Sequence, residues 1–248
     1  MLITRTNRRD FVKYGIGAAT LAAMRAQVRI PGPGGAIAAG GGGGGGWSLV
    51  TSTSAGSTGG SDITTSAINT TGANLIVAGI ASGSNTPTVS DSSSNIWTPL
   101  NINGGGPNIQ MFYCSAATVG SGHTFTTSTG NNAPSIYVLA FSGSAASPLD
   151  QQNGVGATSG ITTVQPGSIT PGQNNELIVT LLGIAAPGAV SAGSINQGFT
   201  ILGSQTFSGG NHYGGAIAYL MQSTAAAVNP TWTATGSASL LASIASFK

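Results

Sequence analysis

The 248-residue chain has few charged side chains, two histidines and a single cysteine. Charged residues make up 5% of it, against roughly a quarter of an ordinary soluble domain. Cys114 has no partner for a disulfide within the chain, and its apolar neighbours predict a buried thiol. His123 and His212 are too few for a three-ligand zinc site without carboxylates. With no G-x-S-x-G and no P-loop pattern either, the sequence predicts no bound cofactor and argues against several kinds of catalysis.

Positive charge is almost absent from the chain beyond residue 29. Six of the seven basic residues precede that point, and only Lys248 follows it. Four acids also follow it, so the remainder carries a formal charge of −3. Nucleic-acid binding requires basic side chains that neutralise phosphates, so we exclude a nucleic-acid partner.

Residues 1–38 have the three parts of an export signal. A basic segment is followed by an uncharged stretch at 14–24 and by the small-x-small sequence Ala36-Ile37-Ala38. Within the basic segment, the paired arginines, the hydrophobic pair and the lysine of 7–13 resemble the twin-arginine export motif; the matching residues are Arg8, Arg9, Phe11 and Lys13. The resemblance implies recognition by the twin-arginine export machinery, and a secreted, cell-surface or periplasmic protein. A basic arm that stays on the protein is the alternative.

The chain after the leader contains an internal repeat. Residues 39–59 are rich in Gly, Ser and Thr and are predicted to be a linker. Copy one is assigned to 60–150 and copy two to 151–248. Matching apolar landmarks recur at offsets of 102 to 107 residues: Leu75 with Leu177, Trp97 with Phe199, Tyr113 with Tyr219, Phe125 with Trp232, and Phe141 with Phe247.

Each copy has the pattern of short strands separated by turns. Runs of 5–8 residues rich in Val, Ile, Thr and aromatic residues alternate with Gly, Asn and Ser clusters. We therefore predict an all-β, jelly-roll-like sandwich of two sheets and about 12 strands, built from two similar halves; two tandem immunoglobulin-like domains are the alternative. The pattern S-D-S-x-x-N-x-W at 90–97, followed by G-x-G-H-T-F-T at 120–126, resembles repeats of bacterial secreted and phage β-sandwich proteins. That resemblance implies a fold and no particular activity.

The candidate binding residues lie in a loop that differs between the copies. Aromatic rings and amides on a loop suit a sugar, whose hydroxyls bond amides and whose faces stack on rings. The predicted ligand-binding residues are Phe207, Asn211, His212 and Tyr213 in copy two, and Asn101, Asn103 and Asn108 in copy one. Asp91, in a Ser/Asn turn, is a candidate Ca²⁺ ligand.

Three functions are compatible with this sequence. The first is a secreted or cell-surface, non-catalytic module that binds a carbohydrate or another neutral surface polymer. The second is a structural protein that self-associates into a filament, matrix or virion shell, because few edge charges oppose strand addition. The third is a polysaccharide-cleaving enzyme, whose carboxyl pair would come from Asp62, Asp91, Asp150 and Glu176.

Overall fold

The computed structural model describes residues 46–57, 62–83, 86–104, 107–128, 133–186, 188–206 and 212–248. The described residues form strands and no helix: β1 (Ser48–Gly56), β2 (Ile63–Thr64), β3 (Leu75–Ser82), β4 (Thr88–Asp91), β5 (Thr98–Pro99), β6 (Asn108–Ser115), β7 (Phe125–Ser128), β8 (Ser135–Ser142), β9 (Leu149–Val164), β10 (Glu176–Ala185), β11 (Ala192–Ile195), β12 (Thr200–Gln205), β13 (Gly214–Gln222) and β14 (Trp232–Phe247). Within these ranges no helix has the length and apolarity needed to cross a membrane. The leader, with Arg8, Arg9, Phe11 and Lys13, lies outside the described residues.

The first half of the fold, β1 to β8, is a sandwich of a large and a small antiparallel sheet. The large sheet has the order β1-β8-β3-β6-β5, and the small sheet has the order β2-β7-β4. Eight strands divided in this way have the pairing of a jelly roll. The predicted all-β sandwich is therefore confirmed.

The second half, β9 to β14, repeats this arrangement with longer strands. Its main sheet runs β9-β14-β10-β13-β12, and β11 pairs with the first residues of β14. The 16-residue strand β9 occupies the positions that β1 and β2 occupy in the first half. The 16-residue strand β14 likewise occupies the positions of β7 and β8. The fold thus has three sheets where the sequence predicted two, and each half has its own inner and outer layer.

The strand register repeats between the halves at the offsets present in the sequence. Leu75 pairs with Phe141 in the first half, as Leu177 pairs with Phe247 in the second. Val77 likewise pairs with Tyr113, as Val179 pairs with Tyr219. The aligned landmarks are therefore equivalent positions in two similar sheets.

Both faces of the two large sheets are buried, which explains the continuous apolar runs of β3 and β10. All eight residues of β3 and nine of the ten in β10 are buried. Alternate side chains, such as Leu75 and Val77, enter a central core shared by the two large sheets. Their neighbours, such as Ile76 and Ala78, enter an outer core beneath the small sheet. The aromatic residues on apolar strand positions are predicted to pack in the core. Six of them are buried, as is Cys114: Phe125, Tyr137, Phe141, Phe199, Trp232 and Phe247. The seventh, Trp97, is only partly buried.

Two glycines allow the large sheets to approach closely. A Cβ on Gly79 would lie 2.8 Å from Leu181 Cδ1, and one on Gly183 would lie 2.3 Å from Ile109 Cγ2. Each glycine therefore admits a side chain from the opposite sheet.

The stretch predicted to be a linker contains the first strand of the fold. β1 occupies Ser48–Gly56 and pairs with β8 from Ser48 to Gly56. Its Ser/Thr/Gly composition suggested a tether, but backbone hydrogen bonds to β8 need no particular side chain. Trp47, just before it, is anchored by packing on Phe141 at a ring distance of 6.2 Å.

Candidate functional site

The loop between β5 and β6, which holds three predicted ligand residues, packs on β9 of the other half. Asn101 N donates to Gln152 Oε1 at 2.8 Å, and Gly104 O accepts a 3.3 Å bond from Ala157 N. The Asn103 amide fills the space beside Gly154, where a Cβ would lie 2.3 Å from Asn103 Nδ2. Asn108 is buried at the start of β6.

In the corresponding loop of the second half, the described residue His212 packs on β1 in the same manner. His212 is buried, and its Nδ1–H donates to Ser57 O at 2.6 Å. A Cβ on Gly56 would lie 2.8 Å from His212 Cε1. Tyr213 N donates to Ala133 O at 3.2 Å, and its side chain packs against the central core. Phe207 and Asn211 lie outside the described residues.

The described residues of each loop therefore pack against the first strand of the other half, and we call these two loops the clasps. Each presses on a glycine in the first strand of the other half, Gly154 in one case and Gly56 in the other. The contacts of Asn101, Asn103 and His212 described above are packing contacts between the two halves.

Asp91 organises the turn after β4 by accepting hydrogen bonds. Its Oδ1 accepts bonds from Ser93 N at 2.8 Å and Asn95 N at 3.3 Å, and its Oδ2 accepts a bond from Trp97 Nε1 at 2.8 Å. Burial raises the pKa of Asp91, but these bonds and His123 outweigh burial, and the net pKa is lowered. The carboxylate thus faces N–H donors, which accounts for Asp91 without a metal ion. Among the described residues, no three His, Cys, Asp or Glu side chains cluster as metal ligands would.

Asp91, His123 and Thr70 follow each other in the order of a catalytic triad, but they are enclosed. His123 Nε2 lies 3.3 Å from Asp91 Oδ1, an ion-pair distance, and its Nδ1 lies 2.9 Å from Thr70 Oγ1. Thr70 is fully buried, and its hydroxyl is bound to the backbone of Gly120 at 3.1 and 3.2 Å. A nucleophile must reach its substrate, so this chain of contacts is structural.

Two of the four acids meet at one end of the second half. Asp150 Oδ1 lies 2.6 Å from Lys248 Nζ, and Asp150 Oδ2 accepts a bond from Gly172 N at 2.8 Å. Burial raises the pKa of Asp150, but the bonds to Lys248 and Gly172 outweigh burial and the net pKa is lowered. Burial raises the pKa of the nearby Glu176. Opposite pKa shifts in neighbouring carboxyls are typical of acid–base pairs, but the Glu176 side chain is buried in this structure.

An open groove of about 470 Å³ lies at the edge of the first half. It separates β4, an edge strand of the small sheet, from β5, an edge strand of the large sheet. Val89, Trp97, Pro99, Ile102 and Phe112 give it apolar walls, and Thr86, Thr88 and Gln110 add polar groups. No charged side chain is present among the described residues that line it. Because its described lining is aromatic and uncharged, we take this groove as the candidate ligand site.

Trp97 is held firmly at this groove. Its indole packs edge-on against Phe125, with ring centroids 6.1 Å apart, while its Nε1 is bound to Asp91. The side chain is only partly buried, so part of the ring faces the groove. Gln110 Nε2 donates to Leu100 O at 2.8 Å, which fixes the polar wall.

The equivalent place in the second half is packed differently among the described residues. β11 and β12 lie beside each other there, and Phe199, the counterpart of Trp97, is 8% exposed. Ile195 and Ile201 pack on the same core. The apolar strand pattern predicts a core position for Trp97, so the sequence does not point to this groove. The signal for a site is that Trp97 and Pro99 stand where the second copy has Phe199 and Ile201.

The fold and the groove define a class: an all-β sandwich protein of two similar halves, with an uncharged, aromatic-lined groove in the first half. Compared with known proteins, the chain matches no family model, no curated protein and no solved structure.

Proposed function

We propose that the chain is an exported, non-catalytic binding module that holds a neutral glycan, or a similar hydroxyl-rich surface polymer, in the groove of the first half. The observation that carries this proposal is the fixed, partly exposed ring of Trp97 on the uncharged groove. Sugar rings present apolar faces that stack on aromatic rings, and their hydroxyls bond to amides and hydroxyls. Gln110 and Thr88 supply such groups at the groove.

The charge of the lining supports a neutral ligand. An anionic or cationic polymer would bury its charges against Pro99, Ile102 and Val89 without a counter-charge, which is costly. A neutral glycan meets no such cost. The net negative charge beyond residue 29 also disfavours nucleic acids.

Export through the twin-arginine machinery belongs to the same proposal. The arginine pair at 8 and 9 and the small-x-small sequence at 36–38 support removal of a leader and a secreted or cell-surface location. The intact mass of the protein recovered from the culture medium tests it. A mass lacking the first 38 or so residues supports export, and an uncut chain confined to the cytosol contradicts it.

Self-association is a second candidate function, favoured by one observation. Ile96 is 87% exposed beside the unpaired edge of β4. The edges are poor templates for strand addition, because β4 has four residues and β5 has two, one of them Pro99. Sedimentation at rising concentration would reveal such assembly.

The two exposed isoleucines of the first half provide a matched test of glycan binding. Ile102 lines the groove and is 42% exposed, whereas Ile96 does not line it. A glycan array with the protein identifies ligands, and calorimetry then measures their affinities for Ile102→Ser and Ile96→Ser. Losing an apolar contact of about 1.4 kcal/mol weakens binding roughly tenfold, so we expect that loss for Ile102→Ser alone.

Two results of these binding measurements would contradict the proposed glycan site. No bound glycan on a broad array, or equal weakening by both substitutions, would contradict the groove as the binding site. Trp97→Phe should also weaken binding, because the smaller ring covers less of a sugar face.

A further inference from the structure

The side chains of Glu176, which is buried, and Gln222, which is partly buried, bring together more hydrogen-bond acceptors than donors. They are directly opposite each other in the β10–β13 pairing, so their side chains lie on the same face of the sheet. Glu176 Oε1 accepts a 3.1 Å bond from Gln173 N, and Gln222 Nε2 donates to Ala226 O at 3.2 Å. The remaining oxygens, Glu176 Oε2 and Gln222 Oε1, are both buried and have no hydrogen-bond partner among the described residues.

A ligand is too large to be the missing partner. Glu176 is 0% exposed, and neither orphan oxygen is reached by a water-sized sphere. Two acceptors repel each other unless a hydrogen lies between them. A proton on the carboxyl is small enough, and it turns Glu176 from an acceptor into a donor.

We infer that a proton on Glu176 Oε2, donated to Gln222 Oε1, closes this end of the β10–β13 ladder, and that its loss makes this corner of the fold loosen as the pH rises. This inference is independent of the proposed glycan groove, which lies in the other half.

The groups around Glu176 are consistent with a retained proton. Burial is the largest influence on the pKa of Glu176 and raises it, and the negative charge of Asp150 on β9 adds to this rise. Hydrogen bonding by the Ser246 hydroxyl on β14 and by Gln173 N lowers the pKa, as does the more weakly acting charge of Lys248. Lys248 is already paired with Asp150 at 2.6 Å. Trp47 and Gln222, from the other neighbouring segments, carry no charge. The net pKa of Glu176 is raised.

A cavity beside Glu176 gives the ionised carboxylate a space into which it can turn. A cavity of about 170 Å³ adjoins Glu176 and is also lined by Trp47, Met221 and Ser223. A carboxylate seeking water would turn towards this space. Trp47 Nε1 is bound there to Asn175 O, the residue before Glu176, at 3.0 Å. Ionisation of Glu176 therefore loosens the anchor of Trp47 ahead of β1.

The test uses the fact that Glu176 is the only glutamate in the chain. Glutamate labelled with ¹³C at the carboxyl gives one side-chain resonance in the full 248-residue protein, which can be followed against pH. We expect its midpoint to lie above that of an ordinary glutamate. A midpoint at or below the ordinary value would overturn the inference.

The partner is tested by Gln222→Leu, with the exposed Gln165→Leu as the matched control. Removing the acceptor removes the bond that favours the protonated form, so the midpoint should fall in Gln222→Leu and stay unchanged in Gln165→Leu. An unchanged midpoint in both variants would overturn Gln222 as the partner.

The consequence is tested by hydrogen exchange of the Trp47 indole N–H in the wild type and in Glu176→Gln, measured at equal pH. Above the midpoint the wild type should exchange several-fold faster, and below it the two proteins should match. Equal exchange at both pH values would overturn the loosening. Should Glu176→Gln fail to fold, the wild-type titration still decides the inference.

Discussion

Trp97 and Asp91 are joined by a 2.8 Å hydrogen bond from the indole Nε1 to Oδ2, and this bond connects the groove to the turn beneath it. The Asp91 side chain is fully buried, so the bond is shielded from water. A donor bound to a buried carboxylate contributes more than a neutral pair does. The orientation of the ring therefore depends on the ionised state of Asp91.

Asp91→Asn and Trp97→Phe should each reduce the free energy of unfolding by about 2 kcal/mol, because each removes a bond to a buried charged group. The double variant should lose about 1 kcal/mol less than the sum of the two, since both substitutions remove the same bond. Urea unfolding of the four proteins measures this coupling. Strictly additive losses would show that the bond contributes nothing.

The acid limb of the stability curve should depend on Asp91. Its pKa is lowered in the folded state, so its contribution is present above the pKa of the unfolded chain and is lost as the pH falls through the folded value. Asp150 acts in the same direction. Urea midpoints between pH 7 and pH 2 should therefore fall less steeply in Asp91→Asn than in the wild type. Parallel curves would contradict a contribution from this carboxyl.

Much of the fold could be predicted from the sequence, because it follows from local patterns. The apolar runs of β3 and β10 predicted buried strands, and the landmark offsets predicted equivalent pairings such as Leu75 with Phe141. The sequence did not reveal three sheets. One continuous β14 replaces β7 and β8, and strand continuity depends on pairing with β9 and β11 rather than on composition.

The candidate site was harder to predict than the fold. The clasp residues, such as His212 and Asn103, have the composition of a binding loop, but both are used in packing. His212 binds Ser57, 155 residues away in sequence, and Asn103 packs beside Gly154, 51 residues away. The groove arises from the separation of β4 and β5, which no local pattern encodes. The proximity of Asp150 and Glu176 likewise results from strand order.

Gly183→Ala should destabilise the central core. The new Cβ would lie 2.3 Å from Ile109 Cγ2, so one of the large sheets must move, and such overpacking costs about 1–3 kcal/mol. Gly188→Ala is the control, because nothing lies within 4 Å of its Cβ position. Thermal and urea unfolding should place the control within about 0.5 kcal/mol of the wild type. Equal effects of the two substitutions would mean that the sheets do not approach closely at Gly183.

A substitution in the clasp should lower stability without changing glycan affinity, and a substitution in the groove should do the opposite. His212→Ala removes the buried bond to Ser57 O and leaves a space beside Gly56, so it should cost about 1–3 kcal/mol of unfolding free energy. It does not touch the groove, so the affinity for a groove-bound glycan should stay within twofold of the wild type. Ile102→Ser should show the reverse, with weaker binding and near-normal stability, because its side chain is already 42% exposed. Calorimetric titration and urea unfolding of the same two variants measure both quantities. If a folded His212→Ala protein lost its glycan affinity, the binding site would be the loop that the sequence predicted and not the groove.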